Sequence, residues 1–243
     1  MMPARSEFTP PTVPSDRGIA ESTNGDWLLW QLADSAFPTG GFAHSGGLEA
    51  AWQHGELRGA TELKTFVEAS LDQFGHGALP FMLGAFDDVE KLRELDCLCE
   101  SFTTNHVANR ASRLQGQALL ASAERIFRLP AFTALRQSTS EHLPYCHLSP
   151  VFGVVVCSLD VDRVAASRLF IFLHLRGLIA SAVRLGIVGP MEAQSIQHHF
   201  SPVAESILTR CQHFSVDDIA QTSPLLEIWQ GAQDRLYSRL FQS

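Results

Sequence analysis

The sequence predicts an all-α protein, a single-domain helical bundle around a buried central helix, and three observations carry that prediction. Apolar residues recur at helical spacing along most of the chain; Leu63, Phe66, Val67, Leu71 and Phe74 follow i, i+3, i+4, i+8 and i+11. Prolines and glycine pairs fall between such segments, at Pro38, Gly46-Gly47, Pro130, Pro144, Gly189-Pro190 and Pro224, where they punctuate helices. The one run with β character, Val151 to Leu159, has no recognisable partner strand and is therefore assigned to helix.

Each element has its own reason. Trp27, Leu28, Trp30 and Leu32 open an apolar helix that ends before Pro38, because a residue preceding proline is pushed out of the α region. Leu48, Ala50, Ala51 and Trp52 form a short second helix. Thr61 is the expected N-cap of the third. Pro80 opens or kinks the segment Phe81 to Phe86. Val89 to Arg110 reads as one charged, partly exposed helix and Leu114 to Phe127 as another, in which Ala111, Ser112, Gly116, Ala118 and Ala121 permit close approach of a neighbour. Pro130 and Pro144 bracket a short helix and a loop. Asp160 to Gly186 is a long apolar helix carrying Arg163, Arg168, Arg176 and Arg184; Met191 to Cys211 and Leu225 to Leu240 complete the set. Residues 1–25, rich in Pro, Ser and Thr towards the start, are predicted to be a disordered leader ahead of a domain spanning 26–243.

Composition narrows the function. With 243 residues and 45% hydrophobic content the chain can bury a core of its own, while 18% charged residues leave room for apolar surface facing a partner. Eighteen basic against 26 acidic residues give a net charge of −8, which disfavours nucleic acid. Five irregularly spaced cysteines do not form a secreted disulfide framework, and no apolar run suits a signal peptide. Leu169 to Val183 is interrupted by His174 and Arg176 and is shorter than the roughly 20 residues that span a bilayer, so no membrane span and a cytoplasmic location are expected.

The most distinctive stretch is Leu32-Ala-Asp-Ser-Ala-Phe-Pro-Thr-Gly-Gly-Phe-Ala-His-Ser-Gly-Gly-Leu-Glu-Ala50. Its Gly41-x4-Gly46 spacing matches a phosphate loop, yet Gly47 and Leu48 stand where Lys and Ser or Thr are required, and no strand precedes it. It is a shaped turn without nucleotide chemistry. Asp34, Ser35, His44 and Ser45 lie close in sequence but lack a nucleophile elbow, and His44 reads as a hydrogen-bonded turn residue. The nearest metal-like cluster, His142-x3-Cys146-His147, has no second pair to complete a zinc site. Arg176 and Arg184 either pair with carboxylates or reach a partner. The tail from Tyr237 to Ser243 carries Leu240 and Phe241, which either dock on the chain's own core or await a partner.

These segments resemble the UreF family of urease accessory proteins. The resemblance is carried by the glycine-rich stretch; by Asn109-Arg-Ala-Ser-Arg-Leu-Gln-Gly-Gln-Ala-Leu-Leu120; by Ser149-Pro-Val-Phe-Gly153; by Ala180-Ser-Ala-Val-Arg-Leu185 with Gly189; and by Ser238-Arg-Leu-Phe241. It implies an all-helical, dimer-forming adaptor without enzymatic activity or a cofactor of its own. It further implies partners UreD (UreH in some organisms), the GTPase UreG and apo-urease, into which nickel is inserted. Carried over by residue, it makes Tyr237, Arg239, Leu240 and Phe241 UreD-facing and Arg184 a surface for UreG. Pro38, Gly40, Gly41, His44, Gly47, Glu49, Gln115 and Gly116 become structural motif residues. Three positions depart from the family pattern: Gly46, Gln117, and Asp160, which replaces a common Gly and reads as an N-cap of the long helix. Rival readings are a GTPase-activating protein supplying an Arg to UreG, a small-molecule enzyme built around His44, and a nickel binder using exposed histidines.

Overall fold

The computed structural model describes residues 19–137 and 143–243. Its helices are α1 (Ile19–Ala33), α2 (Leu48–Gln53), α3 (Ala60–Gly77), α4 (Leu79–Asp87), α5 (Leu92–Phe102), α6 (His106–Phe127), α7 (Pro130–Gln137), α8 (Leu148–Ser158), α9 (Arg163–Arg184), α10 (Pro190–Cys211) and α11 (Pro224–Ala232). There is no strand among the described residues, and the all-α prediction holds. Helix α1 starts at Ile19, inside the span expected to be leader; residues 1–18 lie outside the described residues.

The buried central helix is α8, where every residue from Ser149 to Val156 is buried. It packs against α4 and α6. Contact with α4 is backbone to backbone, because a Cβ on Gly153 would lie 2.2 Å from the Met82 carbonyl oxygen. The second organising helix, α9, buries Leu169, Phe170, Ile171, Leu175, Leu178, Ile179 and Ala182. It touches α10, α3 and α4 and reaches α1, α2 and the glycine-rich turn. By length and composition α9 could cross a membrane, but half of its most apolar window is buried inside the protein.

Several expected boundaries move, each for a local reason. Helix α3 begins at Ala60 with Gly59 as its cap, so Thr61 is an internal residue. The predicted helix from Val89 to Arg110 is broken after Phe102. Asn105 caps α6 there by accepting the backbone N–H groups of Val107 and Ala108 at 3.0 and 3.2 Å. Helix α6 then continues through the segment predicted as separate. Asp162, not Asp160, caps α9, with its Oδ1 at 2.9 Å from the N–H groups of Val164 and Ala165. Asp160 instead adopts φ 55°, the left-handed conformation that glycine takes most easily and Asp tolerates. The last helix stops at Ala232, followed by a short turn and an irregular tail, so the predicted helix to Leu240 is too long.

Candidate functional site

The glycine-rich stretch folds into a tight turn clamped by three helices. Gly40, Gly46 and Gly47 have φ of 73°, 64° and 88°, and Gly41–Ala43 make one 3-10 turn. Gly47 serves a second purpose, since a Cβ there would stand 2.9 Å from the Gln230 amide nitrogen of α11. On the α6 side, Gln115 Oε1 lies 3.3 Å from where a Cβ on Gly41 would be. The Ser122 hydroxyl donates to the Pro38 carbonyl at 2.9 Å, and Phe37 stacks on Phe127. The two motif segments, distant in sequence, therefore meet.

The tail docks onto this turn through Glu49, which is 1% exposed in the first turn of α2. Its carboxylate accepts the backbone N–H groups of Leu240 and Phe241 at 2.6 and 3.1 Å and the side-chain amides of Gln233 and Gln53 at 2.6 and 3.3 Å. Among the described residues no cation pairs with it; four N–H donors hold the charge instead. Beyond Phe241 the backbone continues along the turn, with Gln242 N–H donating to Ala43 and Ser45 N–H donating to Ser243. His44 Nδ1 meets the Ser243 hydroxyl. Burial, helped by Arg110, lowers the His44 pKa to about 4, so this imidazole is neutral. Arg184 donates to the Phe42 carbonyl and lies over the Phe241 ring, 4.2 Å from its centroid.

The tail residues expected to meet a partner thus divide. Phe241 is 3% exposed and turned into its own chain, the docked alternative for this residue; Tyr237 is fully exposed, Leu240 is 53% exposed, and Arg239 lies on the surface. Arg184 is exposed but already engaged by Phe42 and Phe241.

A second polar cluster, unmarked by any motif, sits where α5, α6 and the start of α8 meet. Asp96 is fully buried and accepts three successive backbone N–H groups, from Tyr145 and Cys146 on Oδ2 (2.8 and 3.0 Å) and from His147 on Oδ1 (2.8 Å). His147, also fully buried, reaches Glu100 through Nε2 at 2.9 Å and the Ser112 hydroxyl through Nδ1 at 3.1 Å. Asn109 donates to the same Glu100 oxygen, Oε2, at 2.7 Å. Burial lowers the His147 pKa despite the opposing pull of Glu100, so the ring donates from Nε2 and accepts the Ser112 proton at Nδ1. The order Ser, His, Glu is that of a hydrolytic relay. Ser112 Oγ, however, also accepts the Leu148 N–H at 3.2 Å, which makes it a cap on α8. Gly116 completes the junction, because a Cβ there would lie 2.0 Å from the Cys146 carbonyl oxygen. The signal for this cluster was available: Asp96 falls in the apolar stripe Leu92, Leu95, Cys99, where a carboxylate must find donors. No group of three His, Cys, Asp or Glu placed to hold a metal occurs among the described residues; His142 lies outside them.

Between these two sites runs a cavity of about 380 Å³, bordered by Gln115, Ser112, Phe170, Arg176, Gln230 and His174. His174 stacks on Phe74 with ring centroids 4.1 Å apart and pairs with the Ser70 hydroxyl at 2.9 Å. Burial lowers its pKa from 6.5 to about 4. The unfolded chain takes up a proton below pH 6.5 that the folded chain resists until about pH 4, so stability is full above 6.5 and falls as the pH drops through that window. The slope for this residue is about 1.4 kcal/mol per pH unit. Denaturant unfolding at pH 7.5 and 5 should therefore show a His174→Leu variant losing about 2 kcal/mol less than the parent between the two. An equal loss in both proteins would remove His174 as the source.

Comparison with known proteins gives a consistent result. A family model described as UreF matches residues 57–201. The chain is 38% identical over 221 residues to "Urease accessory protein F" of Arabidopsis thaliana, covering 89% of this chain and 92% of that protein. It is 37% identical over 219 residues to the protein of the same name from Oryza sativa subsp. indica (88% and 84% covered). To "Urease accessory protein UreF" of Trichodesmium erythraeum it is 26% identical over 219 residues (88% and 94% covered).

Proposed function

Because the chain belongs to the UreF family of urease accessory proteins, we propose that it acts in urease maturation as a binding adaptor rather than an enzyme. In this reading it is a cytoplasmic homodimer that joins UreD (or UreH) and the GTPase UreG to apo-urease during nickel insertion. The metal is handled by the assembly, and no cofactor belongs to this chain. One observation carries the reading: Glu49 fixes the tail so that Tyr237, Arg239 and Leu240 point outwards while Phe241 anchors inwards. Burying a Phe side chain contributes about 1.5–3 kcal/mol, enough to hold a short segment in place before a partner arrives. A prepositioned segment costs less ordering entropy on binding.

Removing residues 238–243 should abolish co-purification with co-expressed UreD while the far-UV circular dichroism stays helical. Glu49→Ala should weaken the same interaction, since four N–H donors lose their acceptor and the tail its anchor. Retained co-purification after the deletion would sink the tail assignment. The rival reading, an arginine supplied to UreG, meets an obstacle in Arg184, whose guanidinium is engaged by the Phe42 carbonyl and the Phe241 ring. Unchanged UreG turnover with Arg184→Ala would remove that residue from contention. The His44-centred enzyme is disfavoured because the Nδ1 of that neutral imidazole is taken by Ser243.

A further inference from the structure

Beside the docked tail lies a cleft lined by Arg110, Asp234, Arg239, Leu240, Phe241 and Gln242. Arg110 comes from α6, far from the tail in sequence, and grips Asp234 with both terminal nitrogens at 3.1 and 2.9 Å. Arg239 reaches the same carboxylate at 2.9 Å and His106 approaches it at 3.2 Å. Two guanidinium groups and an imidazole therefore share one acid, in a protein whose net charge is −8. Arg110 and Arg239 are each 43% exposed. A guanidinium has five N–H donors. Arg110 uses two of them and Arg239 one in hydrogen bonds among the described residues, so most donors on these two cleft-lining side chains are not taken up by those bonds.

We propose that this cleft binds an acidic segment of the tail's protein partner, with one carboxylate bridging Arg110 and Arg239 and an apolar side chain beside it covering Leu240. The proposal rests on the reading that the tail contacts a partner and adds to it the partner's chemistry and a contact on α6. A carboxylate is the fitting occupant because it only accepts hydrogen bonds and matches the planar fork of Arg in paired geometry. Asp234 is the positioning residue: it holds both guanidinium planes in place before the partner arrives, and its charge cancels only one of the two. Screening at physiological salt acts over about 8 Å, so the attraction is local to the two guanidinium groups.

The test uses the full-length chain co-expressed with UreD and reads retained complex across a salt series. Arg110→Gln removes the charge without placing a second acid beside Asp234, and Arg110→Glu reverses it. Both are expected to lower affinity, the second by about tenfold or more, and to flatten the salt dependence. Arg168→Glu, on a helix surface where Arg168 pairs with Glu205, is the control and should bind as the parent does. Protection of the tail from carboxypeptidase shows that it is still docked in the Arg110→Gln variant. Parental affinity and salt slope in Arg110→Gln would overturn the cleft. If removing residues 238–243 still abolishes binding in that case, the tail reading survives; if it does not, both fail.

Discussion

Gly116→Ala is expected to destabilise the protein by about 3 kcal/mol, although the change adds a single methyl group to a helix interior. Helix propensity alone predicts a gain of roughly 1 kcal/mol, because Ala is the better helix former. Sterics reverse the sign. The new Cβ would sit 2.0 Å from the Cys146 carbonyl oxygen and 2.9 Å from the carbonyl carbons of Cys146 and His147. These are backbone atoms held by Asp96, so they cannot swing aside as a long side chain could. Overpacking of a fixed contact costs about 1–3 kcal/mol and occasionally more. Gly153→Ala meets the Met82 carbonyl oxygen at 2.2 Å and should behave alike. Gly177→Ala supplies the contrast. It lies within α9, a Cβ there meets nothing within 4 Å, and the substitution should stabilise by about 0.5–1 kcal/mol. Urea midpoints for the three variants decide the matter; a neutral or stabilised Gly116→Ala would mean that α6 and the 145–147 turn are not in this contact.

How much of this was legible in the sequence depends on what each residue does. Amphipathic helices such as α3 announce themselves, because one face is apolar and the other wet: Leu63, Phe66, Val67 and Leu71 are all buried. Helix α8 does not, since burial on every side erases the periodicity, and only the lack of a partner strand separated it from a β run. The break before α6 turned on one side chain, Asn105, which looks like any polar surface residue until its oxygen is seen on two N–H groups. Asp160 and Asp162 are both plausible caps by residue type, and two positions of register decided between them. At the candidate site, the glycine turn and the tail were each visible, but their union was not. It depends on Glu49, a carboxylate in the first turn of a short helix, which in sequence reads as an ordinary favourable charge at a helix start.

The Asp96 junction carries the second large prediction. Asp96→Ala should cost about 4 kcal/mol, measured as the loss in unfolding free energy from denaturant titration at pH 7.5. The side chain is fully buried, and its removal leaves the N–H groups of Tyr145, Cys146 and His147 without an acceptor. A buried donor deprived of its partner costs about 1–3 kcal/mol, and hydrogen bonds to a charged acceptor lie at the upper end. Three such losses do not add in full, because a water can enter the vacated space and serve part of them. Asp96→Asn tests the same point more sharply. It keeps the shape and one acceptor oxygen, but its NH2 must face either His147 N–H or the pair from Tyr145 and Cys146, donor against donor. It should therefore recover little of the loss. The damage should be directional as well: His147 leads into α8, so loosening the turn frees the imidazole from Glu100 and Ser112 and frays the start of the central helix. Hydrogen exchange at Leu148, Ser149, Val151 and Phe152 should rise in Asp96→Asn before exchange in α10 does. A loss below about 1 kcal/mol with unchanged exchange in α8 would show that the carboxylate is not what holds that helix in place.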